Sequence, residues 1–204
     1  DGAIGHAPLG IMGDHLHKKN EFMFSFRFMQ MQMKDNLING KKTSNEQILN
    51  QPNIFSSMPG MPENLSIVPD NMKMNMLMFG LMYAPTNEIT LMGMGTFVEK
   101  NMELSTYSPM MGRNFLGTFN TSAQDLSNFS VVALIKFHEN SYSRSHFHLG
   151  IDKSFASPDA KGTILTPMNM NVVTTLPYGM QVGDDSLRLI SGMTIVSLLK
   201  NLIW

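Results

Sequence analysis

The sequence predicts an all-β chain: an antiparallel transmembrane β-barrel of outer-membrane type, incomplete within these 204 residues. Three observations lead there. Phe22, Phe24, Phe26 and Phe28 alternate with Met23, Ser25, Arg27 and Met29. A strand sends successive side chains to opposite faces, so this run has one aromatic face and one mixed face. Lipid outside and a mixed lumen inside would require that contrast. The alternation then recurs: Met72, Met74, Met76, Met78 and Met82 share one parity, and Leu77, Phe79, Leu81 and Tyr83 the other. Finally, no apolar run approaches the roughly 20 residues of a membrane helix, whereas a barrel strand needs only about 9–11.

The elements follow in order. Residues 1–20 are a Gly/His/Pro-rich N-terminal segment, and 21–204 form the partial barrel domain. The first strand spans 21–33. Residues 34–70 hold Pro52, Pro59, Pro62 and Pro69 and read as a long loop. Strands are expected at 72–84 and 89–102, joined by a tight turn at Pro85, Thr86 and Asn87. Residues 103–125 are mixed, with a weak strand signal at 103–120. Strands follow at 129–137 and 146–156, a Pro/Gly-rich loop at 157–185 and a final strand at 186–197. Bacterial barrels commonly start at about eight strands. The sequence ends in LKNLIW without a clear alternating strand, so the expected barrel is open and truncated.

Composition narrows the function. The net charge of −1 argues against a nucleic-acid partner, which favours a basic excess. Charged residues make up 15% of the chain, below the roughly 25% of soluble domains. Without Cys there are no disulfides, zinc ribbons or thiol nucleophiles. No Gly-x-Ser-x-Gly, His-Glu-x-x-His or phosphate-binding loop occurs, so no enzyme is expected.

Three blocks carry a resemblance. HAPLGIMGDHLHKKNEFMFSFRFM, MFGLMYAPTNEITLM and LPYGMQVGDDSLRLISGMT occur in that order. They resemble segments of bacterial outer-membrane "transporter" proteins related to the family named for the meta-pathway of phenol degradation. Asn20 stands where Gly is frequent there, and Phe26 and Phe28 where Tyr is frequent. The resemblance implies an outer-membrane barrel of a Gram-negative bacterium, longer than this chain. It implies no catalytic residue.

The candidate site residues lie on the mixed face. Arg27, Met29, Met31 and Asp152 are expected to line the lumen, with Asp152 or Glu99 as partner for Arg27. The 21 Met residues are plentiful. Met is most often flexible apolar filler, but thioethers also favour Cu(I). Adjacent strands would bring Met74, Met76 and Met78 to Met92 and Met94 as a copper site. His146 and His148 share a strand face with Asp152 and would suit Cu(II). His15 and His17, near His6 and Asp14, form a second His-x-His pair. A polar rim or lumen is the simpler reading of both.

The leading expectation is therefore an outer-membrane channel or transporter for small solutes, with a Met-rich lumen and membrane lipid as partner. The alternatives are a copper-handling outer-membrane protein and a soluble β-barrel binding an apolar ligand. No sequence feature fixes the oligomeric state.

Overall fold

The computed structural model describes residues 13, 15–110, 112–140 and 142–197. Six strands form one antiparallel sheet: β1 (Phe22–Lys34), β4 (Ile67–Tyr83), β5 (Ile89–Tyr107), β6 (Phe115–Glu139), β7 (Ser143–Ser154) and β10 (Leu187–Ser197). Their order is β1-β4-β5-β6-β7-β10. Successive strands of this sheet are nearest neighbours, as expected when two-faced strands are linked by local connections.

Directly paired residues share a face, so the register assigns the two sides. One outer row runs Phe24, Leu81, Gly93, Val131, Ile151 and Leu189. The next runs Phe26, Phe79, Gly95, Phe129, Lys153 and Leu187. The Phe79 ring lies over Gly95, where a Cβ would collide with it. The opposite, inner face has a row of Met23, Met82, Met92, Val132, Gly150 and Ile190.

The chain covers its own inner face. Near one end Met82, Met92, Val132 and Leu134 form a core with Leu16 of the lead-in. Near the other, Ala123, Leu176 and Met180 pack with Met72 and Met102. That cover comes from the hairpin of β8 (Lys161–Leu165) and β9 (Asn171–Thr175), followed by a 3-10 turn at Tyr178–Met180. A third cluster joins Val68 to Ile48 and Leu49 of helix α1 (Asn45–Leu49). Ser44 and Gln47 close a capping box at the start of α1, satisfying two backbone donors. Before it, β2 (Asn36–Ile38) and β3 (Lys41–Thr43) meet across Asn39 and Gly40. Both turn residues have positive φ, as a tight primed hairpin requires.

Ser127 is left without a partner in β6: Thr96 pairs with Asn128, and Phe97 with Leu126. Before this bulge Thr121 and Ala123 face inward; after it Ser130, Val132 and Leu134 do. The bulged residue also grips the segment that crosses the inner face. Its hydroxyl donates to the Val182 carbonyl at 2.9 Å.

The barrel expectation is corrected. Among the described residues β1 pairs only with β4, and β10 only with β7, so the sheet is open and not closed into a barrel. The physical reason is plain: alternation assigns faces, whereas closure depends on strand number, shear and curvature. A two-faced pattern also arises when a chain's own loops cover one side. No helix among the described residues is long and apolar enough to cross a membrane. With no closed barrel, the channel or transporter function, the lipid partner, the small-solute cargo and the outer-membrane location lose the structure they were inferred from. The soluble-barrel alternative fails for the same reason, and its ligand-binding aromatics, Phe22 to Phe28, point outward and are 62–72% exposed.

Candidate functional site

The copper expectation fails on register and on ligands. Met74, Met76 and Met78 pair with Met31, Met29 and Arg27 on one side. On the other they pair with Lys100, Val98 and Thr96. Met92 instead meets Met82, and Met94 meets Gly80. Met94 and Met78 share only a shallow recess with Ser25, Arg27, Phe79 and Gly80. The Met residues thus ladder β1 to β4, and Met92 is core filler.

His146 and His148 do lie side by side, with ring centroids 4.9 Å apart. Each is already engaged. His146 Nε2 is 2.7 Å from the Gly13 carbonyl, to which it donates. His148 Nε2 is 2.7 Å from the Thr194 hydroxyl. Burial, reinforced by His146, pushes the His148 pKa down. Asp152, four residues further along the strand, is about 13 Å from His148 at the backbone. Among the described residues no three His, Cys, Asp or Glu side chains are grouped to hold a metal. His6 and Asp14 lie outside the described residues.

Asp152 belongs to a different constellation. It accepts hydrogen bonds from Asn128 and from Arg188, the latter at 3.1 Å. Arg188 also donates to Asp184 at 2.7 Å. Hydrogen bonds from Ser186 and Arg188 hold the Asp184 carboxyl well below the usual carboxylate range. Lys100 donates to the Gly179 and Gln181 carbonyls, and its burial lowers its pKa. These groups fasten the 176–186 strap over the inner face and line a cleft of about 230 Å³ with Ser127, Ser154 and Tyr178. Their charges and donors are used within the fold, so the arrangement is a latch. Sequence reasoning named Asp152 but missed Arg188 and Asp184. A lone Arg in an apolar strand, just after two Asp residues, was the available signal.

Arg27 faces inward from β1 and makes no ion pair among the described residues. Neither expected partner serves it. Asp152 is held by Arg188, and Glu99 lies on the outer face. There Asn75 and Asn101 hydrogen-bond Glu99 and lower its pKa. That outer polar band continues through Gln30, which donates to Asn75, and Gln32, which donates to Asn71.

What remains uncovered is the outer apolar region and the two sheet edges. Exposed there are Phe22, Phe24, Phe26 and Phe28, Leu81, Leu91, Val131, Phe147, Leu149, Ile151, Leu187, Leu189 and Ile195. An apolar surface of this extent marks an interaction site in a folded protein. Comparison with family models, with curated proteins and with solved structures yields no match.

Proposed function

We propose that this chain is a non-enzymatic association module, a sheet whose free edges are completed by partner β-strands. One observation carries the reading. β1 and β10 are 13 and 11 residues long, and each is paired on one side only among the described residues. Each leaves a row of unpaired backbone donors and acceptors. Edges that avoid pairing are shortened, bulged, interrupted by Pro, covered or given charges, and each edge here carries one inward charge, Arg27 on β1 and Arg188 on β10. Here both registers run without a break, and neither strand contains Pro. Arg27 is the single inward charge on β1. The preferred partner strand alternates, with its apolar side continuing the Phe22-to-Phe28 face. Main-chain bonds supply the affinity of such an addition, and the alternate side chains its selectivity.

The test is amide hydrogen exchange of the full chain with and without a peptide copying residues 187–197. Protection of β1 amides on peptide addition, with the inner core unchanged, is the expected result. Unaltered exchange in β1 at saturating peptide overturns the proposal.

A further inference from the structure

We infer that the paired methionines fastening the second half of β1 to β4 are an oxidation site: a hydroperoxide converts Met29, Met31 and Met33 to sulfoxides and opens that stretch of the sheet edge. Three observations converge.

The first is register. β1 meets β4 through direct Met–Met pairs: Met23 with Met82, Met29 with Met76, Met31 with Met74 and Met33 with Met72. Directly opposite side chains on one face stand about 4.5–5.5 Å apart at Cβ, so each thioether lies against its partner.

The second is cover. Met23 and Met82 lie in the core that Leu16 closes, and Met72 packs against the cluster of Ala123, Leu176 and Met180. Met29, Met31, Met74 and Met76 belong to none of the three core clusters among the described residues. Met29, Met31 and Met33 are 38–41% exposed, whereas Met82 is 3% exposed. A dissolved hydroperoxide therefore has access to the first three and not to Met82.

The third is what else holds this stretch. From Phe22 to Phe28 the outer face adds aromatic contacts, with Phe22 stacked on Tyr83 at 4.4 Å. Beyond Phe28 the outer partners are exposed amides: Gln30 donates to Asn75 and Gln32 to Asn71, each at 3.2 Å. Such bonds exchange with bonds to water and add little net stability. From Met29 to Met33 the apolar contact between the two strands is thus thioether on thioether.

The chemistry balances on named atoms. A thioether lone pair attacks one peroxide oxygen, an S–O bond forms and the O–O bond breaks. Sulfur loses two electrons to the peroxide, whose departing oxygen takes up a proton and leaves as water or an alcohol. The sulfoxide is polar and disrupts Met-rich contacts. Turned toward water, it leaves Met74 and Met76 without their partners. Sulfoxide reductases, one for each epimer, reverse the step.

The test combines peptide mass mapping with amide hydrogen exchange on the full chain after treatment with hydrogen peroxide. Met29, Met31 and Met33 should each gain one oxygen while Met82 and Met92 stay thioethers. The β4-bonded amides of residues 29–34 should lose protection, those of residues 22–28 should keep it, and the two reductases should restore what was lost. The variant M29L/M31L/M33L keeps volume and apolarity nearly constant. It should hold its protection under the same treatment, although the exposed Met58, Met110 and Met168 are oxidised. Sulfoxides at Met29, Met31 and Met33 without faster exchange would overturn the inference. So would an equal loss of protection in the Leu variant, or a loss spread over the whole sheet. If that variant does not fold, the wild type decides: protection that stays lost once the sulfoxides are reduced sinks the idea.

Discussion

The two faces of the central sheet are made by the same strands yet solve opposite problems. The inner face is polar and Met-rich, and the chain folds its own segments over it: the lead-in at Leu16, the β8–β9 hairpin and the strap fastened at Lys100, Ser127 and Arg188. The outer face is more apolar but nearly bare, with Phe24 72% exposed. Hydrophobicity alone would have put the aromatic face inside. Cover is decided here by where the connections pass, and the inner segments bring their own hydrogen bonds with them. The covered face carries the core of the fold, and the bare face is left open to solvent.

The sharpest way to break this contrast is a pair of truncations. Leu134→Ala removes a side chain that is 0% exposed, at the centre of the inner core. It should cost about 2–5 kcal/mol in urea titration. Phe24→Ala, on the bare face, should move stability by no more than about 0.5 kcal/mol. Equal losses would mean that the outer face is as structural as the inner.

Next in size is Asp152→Ala. Asp152 is buried, and its removal strands Asn128 and part of Arg188. A loss of about 1–3 kcal/mol is expected from the same titration. Glu99→Gln, among exposed amides on the outer face, should leave the midpoint unchanged.

The contrast can be sharpened by pH. His148 has its pKa lowered by burial, so below about pH 6.5 the unfolded chain binds protons more readily than the folded one. Stability should be full above that pH and decline as pH falls further. H148N should flatten this decline between pH 7 and 5, followed by denaturation midpoints at each pH. An effect of the same sign should occur at Asp184, whose carboxyl is also lowered. Its contribution is present above about pH 4, the ordinary carboxylate value, and is lost as pH falls below it. D184N should remove that acid limb, read as exchange of the strap amides.

The regular strands were legible because their parity is unbroken. Expected at 21–33, 89–102 and 186–197, they form at Phe22–Lys34, Ile89–Tyr107 and Leu187–Ser197. The outward direction of Phe24 was legible too. Residues 103–125 were opaque because they hold the end of β5, the connection to β6 and the start of β6, with a bulge near Thr106 that breaks the alternation. The long loops hid α1, whose capping residues Ser44 and Gln47 sit in a Pro-rich surrounding, and the β8–β9 hairpin. The Met pairing failed for want of register. A turn at Pro85 to Asn87 sets Met82 against Met92, which excludes the expected Met74–Met78 grouping with Met92 and Met94. The opening between the first and last strands was expected, and the barrel itself was over-read from the pattern, since the same alternation serves an open sheet.

The bulge at Ser127 has a consequence for how this chain can change length. Between its ends β6 keeps two frames, one on each side of that residue, in opposite phase. Losing a single residue elsewhere in the strand would turn a whole half over. Thr121 and Ala123, or Val132 and Leu134, would then point at the bare side. Losing two neighbours would keep each half in phase. Losing Ser127 itself would remove the extra residue: Leu126 and Asn128 would become neighbours opposite Phe97 and Thr96, both halves would keep their faces, and only the hold on Val182 would go. A deletion scan along β6 should therefore show tolerated pairs and unfolded singles, with Ser127 the single that is tolerated.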